Sequence, residues 1–224
     1  MLNPFKTIWN IAKRDLILEL RRKEVLFTIL GFSTLVLSIF VFSIDVNTKE
    51  TQKIVPAIYW SAIIFSFTIA LGRRFSIEIE NGAFEALILS PISKDIIFFG
   101  KFTSNFILVL ISSVFALPIT SILFNINILK IEYLLLAIII SFGLSTLGTF
   151  FAIMSIKVRA REVMLSLVFF PAVTPLLFAG VDCMDKIIQN NNFSDIQSWI
   201  FFVLFYDAIF FLISLLLFDH ILQE

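Results

Sequence analysis

The chain has 224 residues, of which 59% are hydrophobic, with a mean hydropathy of +0.99 and a formal net charge of zero. An apolar content this far above the roughly 45 to 50% of a soluble domain excludes a water-soluble fold. Zero net charge gives no case for nucleic acid as a partner, and one cysteine and one histidine leave no intramolecular disulfide and no classical metal cluster.

The N-terminal segment is predicted to form a helix that lies on the membrane. Asn3 and Pro4 suit a helix start. Apolar residues follow at approximately helical spacing, although Glu19 interrupts the stripe. The alternative is an ordinary positively charged anchor ahead of the first span. The stripe comprises Phe5, Ile8, Trp9, Ala12, Leu16 and Leu20.

Six apolar intervals almost free of charge predict six transmembrane helices. Their apolar residues form unbroken runs rather than alternating with polar ones, which favours helices over an outer-membrane barrel. Helices also pair every backbone polar group within lipid. We therefore expect an all-α polytopic membrane protein with one membrane domain over 1–224. The predicted spans are about 25–44, 54–72, 102–124, 133–156, 163–181 and 198–218.

The distribution of lysine and arginine predicts the orientation of these spans. Thirteen basic residues fall in the N-terminal segment and in the second and fourth loops, against four on the other side. Positive residues accumulate on the cytoplasmic side of membrane proteins. Both termini are therefore predicted to be cytoplasmic.

The second cytoplasmic loop, 73–101, is the longest hydrophilic stretch. Asn81-Gly82 predicts a turn, 84–89 a short helix, Ser90-Pro91 its end, and Ser93 a cap for the next helix. A short helix with exposed carboxylates and large apolar side chains could receive force from a soluble ATPase. A solvated connector, whose carboxylates only neutralise Arg73 and Arg74, is the alternative reading.

Residues along most of the chain resemble those of the haem exporter protein B family, CcmB. The departures are Asn81, where the family often has an acidic residue, and the segment 182–198, which matches nothing in the family pattern. The similarity covers about 14–180 and rests on Arg14-Asp15-Leu16, Glu19, Arg21, Glu24, Pro56, Trp60, Leu71-Gly72-Arg73-Arg74-Phe75, Glu78, Glu80, Gly82, Leu87, Leu89, Ser90-Pro91, Lys101, Gly148, Arg159-Ala160-Arg161-Glu162, Phe170-Pro171 and Pro175.

The resemblance implies an ABC-2-type permease subunit that acts in cytochrome c maturation. It implies a dimeric ABC ATPase, a haem-handling membrane subunit and a small membrane subunit as partners, besides membrane lipid. Haem would be a transported or handled ligand, and we assign no cofactor to the chain itself. The loop residues expected to couple to the ATPase are Arg73, Arg74, Glu78, Glu80, Gly82, Glu85, Leu87, Pro91 and Lys101.

ATP hydrolysis is expected to belong to a separate subunit, because the sequence contains no Gly-x-x-x-x-Gly-Lys-Ser/Thr run. The resemblance implies a bacterial inner membrane, while the residue usage, typical of an AT-rich genome, also allows a mitochondrial one. A permease for another lipid or saccharide, working as a homodimer, is the alternative function.

Small and proline residues stand out in the fourth and fifth spans. Gly148 and Thr149 belong to a smooth face of small residues in the fourth span and predict close helix packing. Pro171 and Pro175 each remove a backbone donor and are expected to kink or break the fifth span, which makes it a candidate hinge.

Asp207 is the clear ionisable residue in the middle of a span, so we expect it to face protein. A hydrogen bond to a serine or threonine of a neighbouring span is favoured over contact with substrate or a partner subunit. His220 follows the last span and is interpreted as a surface residue on the cytoplasmic side rather than a haem ligand. The loop 159–162 is either a partner contact or a topology anchor.

Overall fold

The fold was analysed in a computed structural model that describes residues 3–44, 48–128, 130–157, 160–189 and 193–221. Throughout these ranges the regular secondary structure is helical, as predicted. The helices are α1 (Pro4–Arg22), α2 (Glu24–Ser43), α3 (Lys49–Glu80), α4 (Ala83–Ile88), α5 (Lys94–Phe124), α6 (Ile131–Met154), α7 (Arg161–Ile188) and α8 (Phe193–Ile221), with a 3₁₀ turn at Ser155–Lys157.

Within the described residues, six helices are long and apolar enough to cross a membrane, which confirms the six predicted spans. They are α2, α3, α5, α6, α7 and α8. The chain is therefore a multi-pass membrane protein.

Four spans extend beyond their predicted ends: α7 continues to Ile188 and α8 begins at Phe193, while α3 and α5 extend into the second loop. α3 has 32 residues and α5 has 31, so each is about 45 to 50 Å long, against about 30 Å of hydrocarbon. Most of the predicted loop 73–101 is therefore helix: α3 continues to Glu80 and α5 begins at Lys94. The helices continue past the apolar runs because Arg74 and Lys101 have buried partners there.

The bundle is centred on α6, which contacts α3, α5, α7 and α8. Small polar residues let the neighbouring helices approach closely, and Ser141, Ser145 and Thr149 are fully buried. α2 and α8 lie at the periphery and expose large apolar side chains such as Phe42 and Leu216. Outward-facing apolar surface of this kind is expected for a bundle in lipid.

The helix α1 packs along the start of α5. A Cβ added at Gly100 would lie 2.6 Å from Ile11 Cγ2, which shows how closely the two helices approach. α1 joins α2 through the single residue Lys23, whose φ of 62° places it in the left-handed region. The predicted N-terminal helix is thus confirmed, while its contact with lipid stays a prediction.

The helix α7 is continuous through Pro171 and Pro175, so of the two predicted outcomes the break is excluded and the kink stays a prediction. Neighbouring side chains can support a proline-containing span within a bundle. The Tyr206 hydroxyl of α8 donates a hydrogen bond to the Ala172 carbonyl, between the two prolines. A hinge at these prolines stays a prediction.

Candidate functional site

A cluster of charged side chains lies where α1 meets the extended ends of α3 and α5. We call it the ion cluster and define it as Asp15 and Glu19 of α1, Arg74 and Glu78 of α3, and Lys101 of α5. Arg74 is 3% exposed and Lys101 is 0% exposed. Charged residues are almost never buried this deeply without partners.

Asp15 is the centre of the ion cluster. Its Oδ2 accepts hydrogen bonds from Lys101 Nζ at 2.8 Å and from Arg74 Nη2 at 3.1 Å, and its Oδ1 accepts two from Arg14, from Nε at 3.2 Å and from Nη2 at 2.9 Å. Burial by itself would raise the pKa of Asp15, but Lys101, Arg74 and Arg14 together hold that pKa below its ordinary value. Asp15 is therefore a carboxylate at neutral pH.

Arg74 connects the ion cluster to the membrane-embedded bundle. Besides Asp15, it donates to Ser104 Oγ at 2.8 Å and to Asn105 Oδ1 at 2.5 Å. The Asn105 side-chain amide then donates to Thr149 Oγ1 of α6 at 2.8 Å. A continuous polar path thus runs from α1 through α3 and α5 to α6.

The charges of the ion cluster nearly cancel. Three carboxylates face two cations, and Arg14 adds a third positive charge at the rim, where it is 45% exposed. Lys101 also donates to Glu78. Removing one partner from such a group leaves a buried charge uncompensated, which is far more costly than losing a surface pair. The ion cluster therefore fastens α1, α3 and α5 to one another.

The short helix α4 projects from the same end of the bundle. Gly82, at φ 64°, makes the sharp turn from α3 into α4, a conformation that glycine adopts without strain. Phe84 and Leu87 are buried, and the Phe84 ring packs near the Phe75 ring of α3. α4 is thus anchored to the bundle by its apolar side.

The outer side of α4 and its flanks carry carboxylates and apolar groups. Glu80 and Glu85 are exposed, Leu89 is 85% exposed, and Pro91 is exposed beside it. We call these four residues the acidic-apolar face. Glu85 and Leu89 are four residues apart and both are exposed, so they lie on the same outer side of α4.

The structure separates the predicted coupling residues into three groups. Arg74, Glu78 and Lys101 belong to the ion cluster, so they hold the bundle together instead of forming an exposed contact surface. The exposed Arg73 pairs with Glu24 of α2 at 3.0 Å. The remaining residues shape or form the protruding element, with Gly82 at the turn, Leu87 as an anchor, and Glu80, Glu85 and Pro91 outside.

Four residues of this site were not predicted as site residues, namely Asp15, Glu19, Ser104 and Asn105. Asp15 and Glu19 are four residues apart and therefore share one side of a helix, where they interrupt an apolar stripe. Ser104 and Asn105 follow Lys101 inside an otherwise apolar run. Polar residues that recur at helical spacing in apolar segments were the signal that could have identified them.

Asp207 faces protein, as predicted, and is only 3% exposed. The predicted hydrogen bond to a serine or threonine is wrong, because neither carboxyl oxygen has a hydrogen-bond partner within the described part of the chain. The carboxyl group instead lies against Gly143 of α6, where an added Cβ would collide with Oδ1. α6 can approach α8 this closely because position 143 has no side chain.

The small face of α6 packs as predicted. A Cβ added at Gly148 would come within 2.8 Å of the Phe67 ring of α3. Thr149 is fully buried and accepts the hydrogen bond from Asn105. The small face of α6 therefore packs closely against α3 and also accepts a hydrogen bond from α5.

Several predictions concern residues that the structure leaves undescribed. Arg159 and the asparagine run 190–192 lie outside the described residues, and the side chain of His220 is also outside them. Among the residues that are described, no group of three or more His, Cys, Asp or Glu side chains could hold a metal ion.

The fold and the site together define a class of protein: a polytopic α-helical membrane protein with an anchored protruding helix and an ion-paired junction at one end of its bundle. Comparison with known families is more specific. Residues 6–219 match the model of the CcmB protein family, and the chain belongs to this family.

Bacterial relatives named heme exporter protein B show the same relationship. The protein from Pseudomonas aeruginosa is 22% identical over 191 residues, which cover 85% of this chain and 86% of the relative. The protein from Rhodobacter capsulatus is 25% identical over 179 residues, which cover 79% of this chain and 81% of the relative. The protein from Haemophilus influenzae is 25% identical over 169 residues, which cover 75% of this chain and 76% of the relative. The similarity thus extends over most of both chains.

Proposed function

We propose that this chain is the membrane permease subunit of an ABC transporter complex that acts in cytochrome c maturation, by haem export or by ATP-driven release of a haem chaperone. Membership of the CcmB family and relatives named for heme export support this proposal. The observation that carries the coupling role is the acidic-apolar face, in which Leu89 is 85% exposed beside Glu85 on an anchored helix.

The acidic-apolar face is the proposed contact for a soluble ATPase subunit. Leu89 would fill an apolar groove of the ATPase, while Glu80 and Glu85 would set the register by pairing with basic residues. Because Phe84 and Leu87 anchor α4 to the bundle, a force on this face would reach α3 and α5 rather than only bending a loop. The chain lacks a phosphate-binding loop, so ATP hydrolysis is assigned to the ATPase dimer.

The ion cluster is the proposed route by which that force spreads. Arg74 and Glu78 lie on the part of α3 that leads into α4, and Lys101 lies near the start of α5, which follows α4. Asp15 holds both cations to α1. Movement of α4 would therefore shift α1, α3 and α5 as one unit, and Asn105 and Thr149 would pass the shift to α6.

The remaining partners of the proposed complex are a haem-handling membrane subunit and a small membrane subunit. Haem is the proposed ligand of the assembled complex, and the chain by itself carries no assigned cofactor. The proposed location is a bacterial inner membrane with both termini in the cytoplasm. The bacterial sources of the relatives and the predicted orientation support this location.

The test is purification of the tagged chain from its native membrane, followed by identification of the proteins that accompany it. We expect an ABC ATPase and a haem-handling subunit in the wild-type sample. Recovery of an ATPase with no haem-handling subunit would favour the alternative permease for another substrate. Recovery with no ATPase would overturn the proposal.

Substitutions on the acidic-apolar face test the contact itself. Glu80→Lys, Glu85→Lys and Leu89→Lys are expected to reduce ATPase recovery and cytochrome c maturation while membrane insertion stays normal. Glu132→Lys, which changes an exposed carboxylate at the start of α6, is the matched control. Glu78→Lys is unsuitable, because it would place a third cation beside Arg74 and Lys101 and disturb the fold.

A further inference from the structure

The helix α1 separates its charges onto opposite sides. Its acidic residues, Asp15 and Glu19, face the bundle and pair with Arg74 and Lys101. Its exposed surface is basic and carries Lys6, Lys13, Arg14 and Arg21. The outer side of α1 therefore carries a net positive charge. Arg14 pairs with Asp15, but the acidic residues of α1 otherwise face the bundle.

Exposed aromatic and aliphatic side chains accompany these cations. Phe5 is 81% exposed, Trp9 54% and Leu20 62%. Phe5, Trp9 and Lys13 are spaced at four-residue intervals, and Lys6 and Lys13 are seven apart, so these residues share one side of the helix. Tryptophan and lysine side by side are typical of the membrane interface, where the ring lies at headgroup level and the ammonium extends towards water.

The connection to α2 holds the C-terminal end of α1 at the membrane. Lys23 is the only residue between α1 and α2, and α2 is an apolar helix of 20 residues that fits the hydrocarbon thickness. Packing of Ile11 against Gly100 of α5 further restricts α1. The last turn of α1 must therefore lie close to the membrane surface.

We propose that α1 is a binding site for anionic phospholipid headgroups. Lys6 and Lys13 contact the phosphate groups, and Phe5, Trp9 and Leu20 enter the boundary between headgroups and acyl chains. Basic residues near an anionic surface each contribute about fivefold to binding. This site is independent of the acidic-apolar face, so its failure and the failure of the proposed ATPase contact are distinguishable.

The experiment uses the full chain in mixed micelles that contain brominated phosphatidylglycerol or brominated phosphatidylcholine at equal mole fraction. Bromine quenches tryptophan fluorescence at close range, and the difference between wild type and Trp9→Phe isolates the signal of Trp9 from Trp60 and Trp199. We expect stronger quenching of Trp9 by phosphatidylglycerol, and a smaller preference at about 0.5 M salt because exposed charges are screened.

Lysine variants identify the groups that give the preference. Lys13→Gln is expected to lower the preference for phosphatidylglycerol about fivefold, and Lys6→Gln/Lys13→Gln to abolish most of it. Lys53→Gln, an exposed lysine near the start of α3, is the matched control and should leave the preference unchanged. Equal quenching by the two lipids, no Trp9 signal, or an equal loss in the control would each overturn the proposal.

Discussion

Two adjacent arginines differ sharply in their environments. Arg74 is buried and donates hydrogen bonds to residues of α1 and α5, whereas the side chain of Arg73 is 56% exposed and pairs with Glu24, itself 50% exposed. Burial removes solvent screening, so the same residue type has very different consequences at consecutive positions.

We expect Arg74→Gln to destabilise the protein by about 3 to 5 kcal/mol, because it leaves the carboxylates of the ion cluster uncompensated. Arg73→Gln, the matched control, should cost no more than about 1 kcal/mol. Thermal unfolding of the purified variants in detergent measures both effects. Similar losses of stability in the two variants would contradict the assigned role of the ion cluster.

The lowered pKa of Asp15 predicts a dependence of stability on pH. A carboxyl group whose folded-state pKa lies below its ordinary value of 3.8 contributes stability that is fully present above that value. The contribution is lost as the pH falls through 3.8 towards the folded-state pKa, at no more than about 1.4 kcal/mol per pH unit for one group.

Unfolding measured between about pH 6 and pH 3 tests this dependence. Asp15→Asn should be less stable than wild type at pH 6, and the difference between the two should shrink towards pH 3. Asp95→Asn, which removes an exposed carboxyl in the first turn of α5, is the control and should destabilise the protein less than Asp15→Asn at pH 6. A difference between Asp15→Asn and wild type that stayed constant with pH would exclude Asp15 ionisation as its source.

At the scale of elements, the contact of α6 with α8 depends on the absence of a side chain at Gly143. An added Cβ would collide with the Asp207 carboxyl and lie 2.7 Å from Leu176 Cδ1 of α7. The side chains of Asp207 and Leu176, or the helices that carry them, would thus have to move. Well-packed interiors resist such insertions at a cost of typically about 1 to 3 kcal/mol.

We therefore expect Gly143→Ala to destabilise the bundle by that amount, about 1 to 3 kcal/mol. Gly31→Ala in α2 is the matched control, because nothing lies within 4 Å of its added Cβ, and helix propensity favours alanine there. Thermal unfolding of the two variants in detergent measures the change in stability that each substitution causes. If Gly143→Ala is as stable as Gly31→Ala, the close approach of α6 to α8 is incorrect.

At the scale of the whole molecule, the ion cluster and α4 lie at one end of the bundle, and their side of the membrane decides whether an ATPase can reach them. Only the cytoplasmic side contains ATP for such a subunit. The charge bias of thirteen to four predicts that this end is cytoplasmic.

Cysteine labelling tests this orientation. Cys183 is buried and can be replaced by alanine to give a cysteine-free background. In intact cells, a membrane-impermeant maleimide should label Lys53→Cys directly and Glu85→Cys only after permeabilisation. The reverse pattern would place α4 on the outside and remove the basis for the proposed ATPase contact.

The sequence by itself determined the number and approximate positions of the spans, because about 20 consecutive apolar residues have few stable alternatives to a membrane helix. It also predicted the short helix α4, since the turn signal Asn81-Gly82 and the Ser90-Pro91 pair are local features. The small face of α6 was predictable for the same reason. The family followed from residues spread over most of the chain.

The tertiary structure alone decided which charges are buried. Asp15 pairs with Arg74, which is 59 residues away in sequence, and with Lys101, which is 86 residues away. No local sequence pattern therefore distinguishes Arg74 from Arg73 or Glu78 from Glu80. The same reason explains why the extensions of α3 and α5 were missed: a polar segment stays helical beyond its apolar run when distant residues satisfy its charges. Packing also decided that α7 continues through its prolines and that Asp207 lies against Gly143.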